Sequence, residues 1–224
     1  MRWTLTLEAK NTKTGKITEH TKGPGADPSG LPEARRAQQP ENFHPQLAAP
    51  VQHPPAGDKW LHEIKWDGYR ILAFIKDKNI RLISRNGKDW TRKFFNIADA
   101  LKRFPAKQAL LDGEIVLLRK DGTSDFQALQ NVLKQNTNQN LVYYLFDLPH
   151  CEGYDLTNCS LDERKNLLEA LVSKQGKENT VIRYSDHIRG SGGQVYRHSC
   201  SLALEVIISK DSGSSYMQKR TKTW

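Results

Sequence analysis

At 224 residues the chain is long enough to bury a core, in one large domain or two small ones. Its 34 Lys and Arg against 25 Asp and Glu leave a net charge of +9, which favours a polyanionic partner over a neutral one. No apolar run is long enough to span a bilayer and none reads as a signal peptide. Cys151, Cys159 and Cys200, with no Cys-x-x-Cys, predict reduced thiols rather than a disulfide frame or a zinc site.

In chain order, Trp3, Leu5 and Leu7 alternate with polar residues and predict one short strand. From Asn11 to Pro40 the composition turns to Lys, Gly, Pro, Ala and Gln, with turn-forming residues from Gly23 to Gly30. Residues 1–40 therefore predict an N-terminal arm or linker, and 41–224 the folded domain, beginning near Phe43-His-Pro-Gln-Leu-Ala48.

Trp60 to Asp67 alternates as a strand, with Leu61, Glu63, Lys65 and Asp67 on one face. That face gathers a lysine between two carboxylates. Asp67-Gly68 predicts a tight turn, because glycine takes positive φ without steric cost, and Tyr69 to Ile75 the returning strand. A lysine amine is inert while protonated, near pKa ~10.4. Burial, a cation or a metal lowers that value and makes the amine a nucleophile. On a solvated edge strand the same residues would be an ordinary ion pair.

Ile80 to Arg85 is a further strand, closed by Asn86-Gly87. Thr91 to Phe104 predicts an amphipathic helix, with Phe94, Ile97, Ala98, Leu101 and Phe104 on one face and Pro105 as its stop. Ala109 to Leu118 is an apolar strand interrupted by Asp112-Gly113-Glu114, and buried charge there is costly unless paired or used. Phe126 to Leu133 predicts a short helix, and Leu141 to Leu148 a strand bounded by Pro149. Ser160-x-x-Glu163 is a capping box for a helix from Leu161 to Val172. Thr180 to Tyr184 predicts a strand, the glycines after Gly190 lead into a helix ending near Leu202, and Leu204 to Lys210 is a last buried strand. Ser212 to Trp224 reads as a polar, basic tail. Successive strands with interspersed helices predict an α+β fold, not alternating βαβ units.

The charged residues set inside these strands form an ordered series: Lys65-x-Asp-Gly, Ser84-Arg-Asn-Gly87, Leu111-Asp-Gly-Glu114, Phe146-Asp-Leu148 and Glu205-Val-Ile-Ile-Ser-Lys210. The series resembles the covalent nucleotidyltransferase superfamily, and specifically the ATP-dependent DNA ligases. Phe43-x-Pro-Gln-Leu-Ala48, Leu61 to Arg70 and Ser185-x-His187 resemble the ligase domain of bacterial ligase D, over about residues 41–224. The resemblance implies an ATP-grasp-like adenylation domain of mainly antiparallel sheets with packed helices. It implies that Lys65 attacks the α-phosphate of ATP to form lysyl-AMP. The AMP then passes to the 5′-phosphate of nicked or broken duplex DNA, with Mg²⁺ or Mn²⁺ as the metal.

By motif position, Asp67 would orient Lys65, Glu63 would bond the adenine amino group, and Phe146 would stack on the base. Arg70 and Arg85 would reach ribose and phosphate oxygens, and Ile64 and Lys210 would complete the nucleotide set. Glu114 would bind the ribose hydroxyl and help hold metal, with Glu205 as the main metal carboxylate. Lys210 lies five residues from Glu205, so in a regular strand the two face opposite ways, and only a bulge or strand end would bring Lys210 to the ligand. His187, His198 and the cysteines read as structural.

Two departures from the family pattern stand out. Val206 occupies a position that is usually glycine, and the chain stops at Trp224, before the last nucleotide-binding motif and the OB-fold domain. The expectation is an adenylation domain that binds ATP but adenylates itself slowly, with Lys219, Arg220 and Lys222 as mobile substitute cations. Implied partners are DNA and end-joining proteins, with a monomer in the bacterial cytoplasm, at the nucleoid during repair. Two other readings remain: an RNA ligase or capping-type guanylyltransferase, which shares Lys-x-Asp-Gly, and a DNA-docking fragment with little activity.

Overall fold

Two sheets of unequal size carry the fold in a computed structural model of the chain, which describes residues 27–135, 140–176, 180–190 and 207–224. The larger sheet runs β1 (Arg35–Arg36), β8 (Tyr154–Asp155), β7 (Leu141–Cys151), β6 (Gln108–Leu117), β4 (Tyr69–Lys76) and β5 (Asn79–Ser84). These pairs are antiparallel, and β9 (Ile182–Tyr184) adds to β7 in parallel. The smaller sheet places β3 (Trp60–Ile64) between β10 (His187–Arg189) and β11 (Ile207–Asp211), both antiparallel to it. A short parallel pair joins β2 (Leu47–Ala48) to β12 (Arg220–Thr221). The helices are α1 (Phe95–Leu101), α2 (Phe126–Gln135) and α3 (Leu161–Lys174).

The apolar runs in β4, β6 and β7 follow from a sheet buried on both faces. On one face Ile71, Ala73, Ile75, Leu111 and Leu145 pack with Ile97, Leu101, Leu168 and Leu171 of the helices. On the other, Leu72, Phe74, Leu110 and Phe146 meet Leu61 of the small sheet, together with Phe43, Tyr216 and Trp224. The capping box opens α3 as expected: Glu163 N donates to Ser160 Oγ, and Ser160 N to Glu163 Oε2 at 2.8 Å.

Several local expectations are corrected. Asp67-Gly68 does not close a hairpin, because β3 and β4 lie in different sheets; Lys65 to Gly68 is the strand-to-strand crossing between them. Gly68 does not take positive φ either. Its constraint is crowding: a Cβ there would sit 2.2 Å from the Ile115 carbonyl oxygen. Pro149 does not end β7. The register steps from Leu110 opposite His150 to Asp112 opposite Asp147, so Leu148 and Pro149 share one place against Leu111 in a bulge that needs no ladder donor from proline. The helix expected over Thr91 to Phe104 shortens to α1, whose N-cap position holds Phe94 and makes no side-chain capping bond.

The boundary at residue 40 also falls too late. Leu31 is buried in the main core, β1 pairs with β8, and Gln39 Nε2 donates to Ala109 O at 2.7 Å. The basic tail is likewise packed rather than loose. Tyr216 and Trp224 are buried, and Leu47 N and Ala49 N donate to Lys219 O and Thr221 O. The expected strand at Trp3 to Leu7, the helix after Gly190, His198, Cys200, Glu205 and Val206 lie outside the described residues. Gly68→Ala is expected to lower the unfolding free energy by about 1–3 kcal/mol, the usual cost of overpacking, in urea denaturation followed by tryptophan fluorescence.

Candidate active site

The crossing from β3 to β4 leaves an open cleft of about 240 Å³ between the two sheets. Every candidate residue among the described ones lines it: Glu63, Ile64, Lys65 and Asp67 around the crossing, Arg70 on β4, Arg85 beyond β5, Glu114 on β6, Phe146 on β7 and Lys210 on β11. Leu47, Ala48 and Trp224 complete one wall. Register explains several of these positions. Arg70 sits opposite Glu114, and Lys210 opposite Leu61, two residues before Glu63 on the neighbouring strand. Glu205, the remaining candidate, lies outside the described residues.

Glu63 is buried and does not pair with Lys65. Its Oε1 accepts from Lys165 Nζ at 2.9 Å and lies 3.0 Å from Lys210 Nζ. Burial alone would raise this carboxyl, but the two lysines outweigh burial and hold it below the ordinary range. Among the described residues the Oε2 atom receives one long bond, from Ser185 Oγ at 3.4 Å, and so keeps acceptor capacity there. Ser185 Oγ in turn accepts from Trp66 Nε1 at 3.1 Å, which ties the crossing segment to Glu63. Trp66 also stacks on Tyr144, with ring centres 3.7 Å apart.

The opposite wall is built on a second buried carboxylate. Asp112 accepts from Arg70 Nε at 2.6 Å and Nη2 at 2.8 Å, and from the Tyr216 hydroxyl at 2.5 Å. Arg70 Nη2 also donates to Gln46 O, so most of its fork is engaged within the protein rather than turned to a ligand. Buried Gln46 links this pair to the C-terminal segment: its N–H donates to Tyr216 Oη at 3.0 Å and its Nε2 to Thr221 Oγ1 at 3.1 Å.

Phe146 reaches the cleft because of a second bulge in β7. Asp112 pairs with Asp147 and Gly113 with Leu145, leaving Phe146 between them without a partner across the ladder. The Arg70 guanidinium lies 4.3 Å and the Lys210 ammonium 4.4 Å from the centre of its ring. Lys210 is also 4.2 Å from the Trp224 ring. The buried indole N–H of Trp224 has no hydrogen-bond partner among the described residues, so within them this wall retains an unused donor.

Lys65 and Asp67 are exposed at the mouth of the cleft, with Asp67 N donating to Ser124 Oγ at 3.2 Å. Half-buried Glu114 faces both of them. Burial pushes its carboxyl up to about 7, against the pull of Arg70 and Lys65 and with the push of Asp112 and Asp67. Among the described residues no three His, Cys, Asp or Glu side chains cluster as a metal cage. Asp67 and Glu114 nevertheless offer hard oxygen donors in the cleft, and one or two carboxylates plus nucleotide phosphates suit Mg²⁺.

Sequence reasoning missed Lys165, Gln46 and Trp224. Lys165 carried a usable signal: with Arg164 it falls three and four residues after Leu161, on the apolar stripe of α3. Gln46 had only its place in the Phe43 to Ala48 motif, and Trp224 sat in a stretch dominated by charge.

Paired antiparallel sheets, with a lysine on the segment that crosses between them and an aromatic, cationic cleft beneath it, define a nucleotidyltransferase-type domain. The chain belongs to the ATP-dependent DNA ligase domain family, whose sequence profile matches residues 45–224. It is 38% identical over 207 residues to the multifunctional non-homologous end joining protein LigD of Pseudomonas aeruginosa, covering 90% of this chain and 24% of that protein. The crystal structure of the ligase domain from M. tuberculosis LigD superposes with a TM-score of 0.71 at 29% identity, covering 81% of this chain and 58% of that one. A mycobacterial DNA ligase D complexed with ATP and MES gives the same TM-score, 0.71, and the same coverage, 81% and 58%, at 27% identity. The chain thus spans about a quarter of the length of the curated relatives it matches. Among the described residues no helix is long and apolar enough to cross a membrane.

The raised Glu114 carboxyl carries a pH signature. The folded state prefers the protonated acid, so the carboxylate costs stability above about pH 7, and the cost fades as pH falls towards the ordinary value of 4.5. Glu114→Gln is therefore expected to raise the apo melting temperature at pH 8 and to change it little at pH 4.5, by scanning calorimetry at both values.

Proposed function

We propose that this domain adenylates itself on Lys65 with ATP and passes the AMP to the 5′-phosphate of nicked or broken duplex DNA, in end joining. The observation that carries the reading is the position of Lys65, exposed at the mouth of a cleft whose inner end is lined by Glu63, Lys210 and the Phe146 and Trp224 rings, with Lys165 behind Glu63. That inner end has a surplus of one positive charge, which suits a polyphosphate. The rings and the spare Trp224 donor suit a base or sugar. The ATP named in the mycobacterial structure and the net charge of +9 support a nucleotide and a DNA partner.

In the proposed step the Lys65 amine, having lost its proton, attacks the α-phosphorus of ATP. A P–N bond forms, the bond from the α-phosphorus to the bridging oxygen breaks, and pyrophosphate leaves. Positioning and fixed charge do most of the work in such transfers. Asp67 would orient Lys65, Glu63 Oε2 would accept from the adenine amino group, and Phe146 would bound the base. Arg85 and the remaining Nη1 of Arg70 would face ribose and phosphate oxygens, Ile64 would line the nucleotide, and Lys210 would meet a phosphate. A bound Mg²⁺ or Mn²⁺, held by Glu114 and Glu205, would neutralise charge on the phosphate oxygens.

Lys65→Ala is expected to reduce pyrophosphate release from ATP by ~10³-fold or more, while ATP affinity in calorimetry changes by less than about tenfold. A variant that releases pyrophosphate at the wild-type rate would contradict the assignment. DNA and RNA duplexes carrying the same 5′-phosphorylated nick separate the DNA reading from the RNA one.

A further inference from the structure

Lys165 borders the cleft without lining it. Its side chain is fully buried on α3, and its ammonium is fully engaged: 2.9 Å from Glu63 Oε1, 3.1 Å from Ser185 O and 4.6 Å from the centre of the Tyr184 ring. Lys210 shares the same Glu63 oxygen at 3.0 Å, but it lines the cleft, where among the described residues its ammonium otherwise meets the Phe146 and Trp224 rings. One lysine is thus fixed behind the carboxylate and the other faces the ligand space.

We infer that Lys165 is a positioning residue that keeps Glu63 a fixed carboxylate, so that Lys210 can leave Glu63 for a phosphate oxygen of the bound nucleotide. The inference rests on the ATP reading above. With a single lysine, Glu63 and Lys210 would form a neutral buried pair, and drawing Lys210 away would strand a carboxylate without a counter-charge. With two, the cluster carries one positive charge in excess, and departure of Lys210 leaves Glu63 and Lys165 balanced.

The remaining groups around Lys210 do not supply that balance. Asp147 is occupied by Arg164 at 2.7 Å, and His187 is held neutral by burial, at about 3. Arg70 stands over the same Phe146 ring but belongs to Asp112. Burial pushes the Lys210 ammonium down to about 8, Glu63 draws it up, and Lys165 repels it. A lysine so poised gains its full charge when a phosphate arrives.

The test follows the lysine ε-carbon signals by NMR in the apo protein and with ATP, across pH 6 to 11 as roughly spans the ordinary lysine range. In the apo wild type Lys210 should titrate near 8, and ATP should move its titration upward while barely shifting the Lys165 signal. Lys165→Met should raise the apo Lys210 titration towards its ordinary 10.5 and weaken ATP binding at neutral pH by about tenfold or more. Lys165→Arg, which keeps the charge, should restore both. A general loss of packing would weaken binding without raising that titration. If ATP moves the Lys165 and Lys210 signals equally, or Lys165→Met leaves Lys210 unmoved, the inference is overturned while the ATP reading stands. If the wild type binds no ATP at any pH, both the reading and the release of Lys210 fail, whereas the apo titration still reports whether Lys165 controls Lys210.

Discussion

Buried carboxylates must be paired, and this requirement organises the domain. Two adjacent cations on α3 meet it for both sheets at once. Arg164 forms a fully buried fork on Asp147 of β7, in the large sheet, at 2.7 and 3.1 Å. Lys165 reaches Glu63 of β3, in the small sheet. Arg164 also donates to Ser214 O, so the same residue fastens the C-terminal segment. α3 is therefore an ionic staple across the base of the cleft, and its capping box fixes where that staple begins. The third buried carboxylate, Asp112, is paired from β4 by Arg70 and roofed by Tyr216.

The cleft owes its shape to places where regular sheet geometry fails. A hairpin at Asp67-Gly68 would have put β3 beside β4 and closed the space that the crossing opens. The crossing passes so near β6 that only glycine fits at position 68. On β7, two register steps within a few residues absorb Pro149 and turn Phe146 out of the ladder and into the cleft. Phe146 then carries Arg70 and Lys210 against its ring, one cation from each sheet. Packing irregularities and charge pairing converge on the same few residues, which is expected where local rules give way to a site.

Much of this was legible in the sequence. Charged residues interrupting an apolar strand, at Asp112 and Glu114, marked one wall of the cleft because such interruptions are expensive. The capping box of α3 and the β4, β6 and β7 runs were local signals, and they held. What was not legible depended on long-range pairing. Asp-Gly looks alike in a hairpin and in a crossing, so the sequence could not say that β3 and β4 part company. The partners of Glu63 come from residues 165 and 210, far along the chain, rather than from neighbouring Lys65. The segment after Ser212 was dominated by charge, which hid the two aromatic residues that seat it. The α3 cations could have been found: a lysine and an arginine on an apolar helical stripe call for buried partners.

In the proposed reading this frame presents Lys65, rather than another lysine, to the α-phosphate of ATP. Intact mass spectrometry after incubation with ATP and Mg²⁺, followed by peptide mapping, tests it most directly. A gain of one adenylyl group, acid-labile as a phosphoramidate is, is expected on the peptide that contains Lys65. An adduct on Lys210 or Lys165, or none on a protein that demonstrably binds ATP, would contradict it.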